Sequence, residues 1–133
     1  MATDTNQPGD APVPGGSPAP LYDLKAALER MDGDVTLLHE IIDIFLEDSE
    51  GCLSTASSSA AKRDVTALQR AVHTIKGAVG NFASPEATDL AQQMELFCKQ
   101  GEVDQAIALL PPLTRAVRTL AEALREYRRK EAA

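Results

Sequence analysis

"DVTALQRAVHTIKGAVGNF", Asp64 to Phe82, is the stretch that decides the fold. Val65, Leu68, Val72, Ile75 and Val79 recur at spacings of three, four, three and four, which is the repeat of an α-helix with one apolar face. Asp64 stands where the N-cap of that helix belongs. The same rhythm extends in both directions from here.

Upstream, Leu21, Leu24, Leu28 and Met31 mark a short first helix that Asp32-Gly33 breaks. Asp34 is placed to cap a second helix with Leu38, Ile41, Phe45, Cys52 and Ala56 on one side. Its far end, through Gly51 and the serines at 57 to 59, is poorly specified by propensity. Downstream, Ser84-Pro85-Glu86 reads as N-cap, proline at the first helical position and an acid in the first turn. That opens a fourth helix with Ala87, Leu90, Met94 and Phe97 inward and Gly101 just past its end. A fifth carries Ile107, Leu110, Leu113, Val117, Leu120, Leu124 and Tyr127, and Pro111-Pro112 either kinks it or divides it in two.

The expected fold is therefore all-α: an antiparallel four-helix bundle with a short additional N-terminal helix, spanning residues 21–130. Residues 1–20 hold five of the eight prolines and three of the eight glycines without apolar periodicity, and read as a flexible leader or linker. With 133 residues, aromatics at 4 % and no Trp, the chain has length for one helical core built from Ala, Leu, Val and Ile.

Charge and cysteine usage exclude several functions. A net charge of −7 offers no excess of Lys and Arg to displace counterions from nucleic-acid phosphates. The basic run Arg125, Arg128, Arg129 and Lys130 sits at a helix end, where cations favour the macrodipole. Cys52 and Cys98 lack metal-ligand spacing and fall among apolar residues, as reduced core cysteines do. No secretory signal and no run approaching ~18 apolar residues is present, so no membrane association and a cytoplasmic location are expected. The two histidines, His39 and His73, have no second ligand beyond ordinary carboxylates at helical spacing, and no metal is expected here.

At about 100° per residue, Gln69, Lys76, Gly77 and Gly80 all lie within about 60° of His73, while the valine stripe is centred about 100° away. His73 thus belongs on the flank of the bundle, facing water. Two glycines beside it each cost roughly 1 kcal/mol of helix propensity relative to alanine. They leave bare ground on which another macromolecule's surface approaches the imidazole. Lys76, between those open positions, is a compact cation suited to neutralising charge that arrives at the ring. An exposed imidazole with one nitrogen held as N–H is a nucleophile near neutral pH.

His73-Thr74-Ile75-Lys76-Gly77, followed by Gly80, resembles the signature of histidine-containing phosphotransfer domains of two-component signalling. The resemblance covers about residues 21–127, with "DGDVTLLHEIIDIFLED" and "LAQQMELFCKQGE" also similar to their counterparts. It implies that His73 carries a phosphoryl group on Nε2, that Lys76 assists electrostatically, and that Gly77 leaves room for a partner. It also implies that Glu95 accepts from the Nδ1 N–H and orients the ring. Gln69, Gly77 and Gly80 then form an open docking surface. Met94 where leucine is usual, and the Pro111-Pro112 pair, are minor departures.

The implied role is a phosphocarrier without its own ATP site, not an enzyme. It passes a phosphoryl group between aspartates of response-regulator receiver domains within a hybrid histidine kinase pathway. A monomer is expected, with no cofactor of its own and Mg²⁺ on the partner receiver. The leucines of the front helix either add apolar docking surface or close the end of the bundle. Two rivals are a phosphoacceptor module loaded from ATP by a separate chemotaxis-type kinase domain, and a helical adaptor that binds receivers without transfer. His39-Glu40 faintly resembles a sensor-kinase phosphoacceptor box, but Ile44 replaces its proline, and His39 reads as a surface or boundary residue.

Overall fold

The computed structural model describes residues 22–132, and among them every regular element is helical. The elements are α1 (Leu24–Arg30), α2 (Val35–Ala61), α3 (Val65–Gly80), α4 (Pro85–Lys99), α5 (Val103–Ala108) and α6 (Leu110–Ala132). The leader predicted for 1–20, and Leu21 of the front helix, lie outside the described residues.

Three aspartates start three helices in the same way. The carboxylates of Asp23, Asp34 and Asp64 accept from the backbone N–H of Ala26, Leu37 and Ala67, each satisfying a donor the first turn leaves without a partner. Pro85 opens α4 as expected, although the Ser84 side chain makes no capping bond. Pro111 and Pro112 fall in the first turn of α6, where their missing N–H groups cost nothing, so the last segment is divided at Leu109 and not kinked.

Around the bundle the order is α2, α3, α4, α6: α2 packs on α3 and on α6, α3 on α4, and α4 on α6. Turns of three or four residues between α2, α3 and α4 make these neighbours antiparallel. On the remaining side, Arg118 bonds Glu50 and Arg128 bonds Asp43 through two guanidinium nitrogens each, so ascending positions on α6 meet descending positions on α2. The C-terminal basic run is in part accounted for by these pairs, since Arg129 also bridges Glu126 on its own helix. The all-α four-helix bundle is thus the observed fold, with α1 as the added front helix.

The core is filled from every long helix by Leu38, Ile42, Leu68, Val72, Val79, Met94, Leu113, Leu120 and Leu124. Two inward faces differ from the periodicity reading. On α4 the buried line is Ala87, Ala91, Met94, Glu95 and Cys98, with Leu90 and Phe97 half-buried at its edge. On α2 it is Leu38, Ile42, Phe45, Ser49, Leu53 and Ala56, leaving Ile41 and Cys52 at the margin. On α4 the small residues Ala87, Ala91 and Cys98 face the neighbouring helices and allow close approach, which displaces Leu90 and Phe97 to the flank; on α2 the inward line instead runs through Ile42 and Leu53, one position on from Ile41 and Cys52. Cys98 is a buried free thiol, whereas Cys52 is half-buried.

Phe82, fully buried in the α3–α4 turn, meets Phe45 edge to face at 5.3 Å between centroids. Its carbonyl accepts from the Asp23 N–H, and the Gly80 carbonyl accepts from Arg30, so α1 is fastened to the end of α3. Leu24, Leu28 and Met31 pack half-buried against the core. Of the two roles open to the front helix, these residues close the end of the bundle.

Candidate functional site

His73 lies in the middle of α3 on the side turned from the valine stripe, and its side chain is 67 % exposed. Across the α3–α4 seam stands Glu95, whose side chain is only 8 % exposed. Its Oε2 is 2.8 Å from His73 Nδ1. Its Oε1 is 2.7 Å from the Lys76 ammonium, which is what compensates this otherwise unpartnered buried oxygen. The three side chains form a chain of contacts: imidazole, carboxylate, ammonium.

Lys76 is the main cause that holds the Glu95 carboxyl below its ordinary value; burial opposes this, and the His73 hydrogen bond adds to the lowering. An ionised carboxylate only accepts, so Nδ1 of a neutral His73 carries the proton and donates it to Oε2. Nε2 then presents a lone pair, and among the described residues it has no hydrogen-bond partner. The arrangement makes the outer nitrogen of an exposed ring a directed nucleophile, oriented by a buried anion.

Gly77 and Gly80 follow His73 by four and seven residues. A methyl group built on either would meet no atom within 4 Å outside the local helix backbone. Among the described residues, packing therefore does not require either glycine, and these leave the ground beside the imidazole open. On the other side of His73 along α3, a shallow depression is lined by Thr66, Gln69, Arg70, His73, Glu95 and Lys99. Gln69, predicted on the open face, is half-buried at this edge.

All six residues singled out from the sequence thus fall on one α3–α4 face. Arg70 and Lys99 were missed, although Arg70 sits three residues before His73 and Lys99 four after Glu95, both on the same faces. A second feature lies around α3 from the histidine: an apolar groove between α2 and α3 lined by Ile41, Ile44, Phe45, Cys52, Ile75 and Ala78, among others. Ile44 there is 56 % exposed. His39 is half-buried, its Nε2 3.2 Å from the Tyr127 hydroxyl with the rings edge to face, which suits a boundary residue. Among the described residues no group of three or more His, Cys, Asp or Glu is placed to hold a metal ion, and no helix is long and apolar enough to cross a membrane.

Residues 40–127 match the family model described as Hpt domain. Two solved structures share the fold. One is histidine-containing phosphotransfer protein B from Pseudomonas aeruginosa PAO1, at 21 % identity and a TM-score of 0.76, covering 85 % of this chain and 98 % of that one. The other is the HPT domain of a sensor hybrid histidine kinase from Shewanella, at 15 % identity and a TM-score of 0.77, covering 85 % and 97 %. No curated protein matches the chain.

Proposed function

The chain belongs to the Hpt domain family, whose members are phosphotransfer modules of two-component signalling, and from that premise we propose that it is a phosphorelay intermediate with His73 as phosphoacceptor. One observation carries the choice of residue: an exposed imidazole whose Nδ1 is held by a buried carboxylate, leaving Nε2 free toward solvent.

In the proposed step the lone pair of Nε2 attacks the phosphorus of a receiver's aspartyl phosphate. The P–O bond to the aspartate breaks with its electron pair, regenerating the carboxylate, and an N–P bond forms. The imidazole becomes cationic as it does so, with Nδ1–H still directed at Glu95. That carboxylate stabilises the developing charge, and Lys76 keeps the carboxylate ionised and in place. Transfer to a second receiver is the reverse of the same exchange. Such transfer goes through a loose transition state, so alignment and charge neutralisation are what the protein must contribute.

Mg²⁺ belongs, in this reading, to the receiver, and this domain contributes no cofactor. Gln69, Gly77 and Gly80 give the receiver its approach to the ring, and the apolar α2–α3 groove beside them supports docking by a complementary apolar face. The domain acts as a monomeric carrier.

The test is a two-receiver relay: a first receiver phosphorylated on aspartate, this protein, and an unphosphorylated second receiver. Label leaving the first, passing through an acid-labile species on this chain and reaching the second is expected, and His73→Ala stops it. Receiver binding without any transfer by the wild type would replace the relay with an adaptor role. Loading from ATP through a separate kinase domain, with none from receivers, would make it a kinase-loaded module.

A further inference from the structure

The Lys76 ammonium is already 2.7 Å from a buried carboxylate oxygen of Glu95, so the two formal charges beside His73 cancel. A phosphoryl group brings roughly −1.5 to −2 units of charge at neutral pH. Lys76, shared with Glu95, meets only part of that charge, which leaves a place for further cations.

The bare glycines supply none, having no side chains, and they occupy the C-terminal side of the imidazole. The N-terminal side is different. Thr66, Gln69 and Arg70 precede His73 by seven, four and three residues, which places all of them on its face of α3. Lys99 follows Glu95 by four and comes to the same place from α4. These side chains line one depression with His73 and Glu95. Both Arg70 and Lys99 are exposed, and among the described residues neither side chain is in an ion pair, although Arg63, Arg118, Arg128 and Arg129 are.

We propose that Arg70 and Lys99 form a phosphoryl-binding notch, in which the group on His73 Nε2 is held between a guanidinium from α3 and an ammonium from α4. The proposal rests on His73 being the phosphoacceptor. The histidine face then has two halves with separate roles. Its glycine side admits the partner's backbone, and its cationic side receives the phosphoryl oxygens. Arg70 supplies donors in a fixed fork that suits phosphate, while Lys99 acts as a point charge. Thr66 and Gln69 add neutral donors at the rim.

The test uses the full chain and phosphoramidate as the donor, so that no receiver interface is involved. Loading rates of wild type, Arg70→Ala/Lys99→Ala and the charge-conserving Arg70→Lys/Lys99→Arg are measured by intact mass at low and high salt. The alanine pair should load about five- to tenfold more slowly at low salt, with the gap closing at high salt because surface charges are then screened. The charge-conserving pair should keep close to the wild-type rate. On the loaded proteins, phosphorus NMR titration should show the second phosphoryl ionisation shifted upward in the alanine pair, an effect that altered packing alone does not produce. Equal loading and equal salt dependence in wild type and the alanine pair would overturn the notch while leaving His73 as acceptor. Slow loading by both variants irrespective of salt would also overturn it. A wild type that takes no label at all would overturn the reading of His73, and the notch with it.

Discussion

Removing the Glu95 carboxylate leaves the His73 ring without the partner that fixes its tautomer and leaves the Lys76 ammonium without its counter-ion. Glu95→Ala should therefore slow phosphoramidate loading about tenfold, the effect of losing about 1.4 kcal/mol of orientation. Glu95→Gln retains an oxygen that accepts from Nδ1–H, so nitrogen–proton correlation spectra should report the same His73 tautomer as wild type, whereas Glu95→Ala should show a mixture. The carboxyl also links folding to pH. Its value is lowered in the folded state, so the unfolded chain takes up the proton first as pH falls. The stabilisation is complete above the ordinary glutamate value of about 4.3 and is lost as pH falls through the folded value. Urea unfolding over that acidic window should show stability falling more steeply in wild type than in Glu95→Gln; identical slopes would remove Glu95 from the linkage. At this scale the sequence was partly legible. His73, Lys76 and the glycines stand out because they break the rules of an ordinary exposed helix face. Glu95 came only from the family resemblance, since by periodicity a carboxylate beside Met94 reads as solvated. The signal that locates it is its position between Ala91 and Cys98, in a line of small buried residues.

In α3, position 77 sets helix propensity against access. A methyl group there meets nothing within 4 Å, so Gly77→Ala should stabilise the fold by about 0.5–1 kcal/mol, read from urea midpoints. Gly77→Leu keeps the helix but fills the ground beside the imidazole. It should load normally from phosphoramidate and fail to exchange phosphate with a receiver; normal exchange would refute the steric role of that glycine. The other elements show where pattern reading holds and where it gives way. Asp34, Asp64, Pro85 and the Pro111-Pro112 pair act through chemistry confined to one helix end, and each falls where the sequence placed it. The serine-rich end of α2 was weakly specified, yet α2 runs unbroken through 27 residues to Ala61. Thr55 and Ser59 donate back to the carbonyls of Gly51 and Thr55 there, and Leu53, Ala56 and Ala60 are buried against the bundle, so tertiary packing overrides propensity. The inward faces of α2 and α4 differ from the periodic pattern by one position at several points: on α4 the fit of Ala87, Ala91 and Cys98 between helices decides which neighbour turns inward, and on α2 Ile42 and Leu53 turn inward in place of Ile41 and Cys52.

Across the whole molecule, the α3–α4 seam holds the proposed phosphoacceptor and the α2–α3 groove lies around α3 from it, so the histidine helix borders both. Under the proposed relay, that arrangement lets loading be tested apart from docking. Ile44→Asp places a charge on an exposed rim of the groove without touching the imidazole, so it should leave phosphoramidate loading unchanged. Receiver-dependent transfer should fall about tenfold or more, as for loss of one apolar anchor in an interface. Equal losses in both assays would mean that the groove is structural. The bundle itself was legible because five apolar stripes with short connections admit few other arrangements. The groove was not, since it arises from which side chains two helices leave uncovered after packing, a property of no single helix. The measurement that tests the central claim most directly is intact mass with acid treatment after phosphoramidate loading, on wild type and on His73→Ala. The account predicts one acid-labile phosphoryl group on the wild type and none on the variant. Label on the variant, or none on a well-folded wild type, would contradict it.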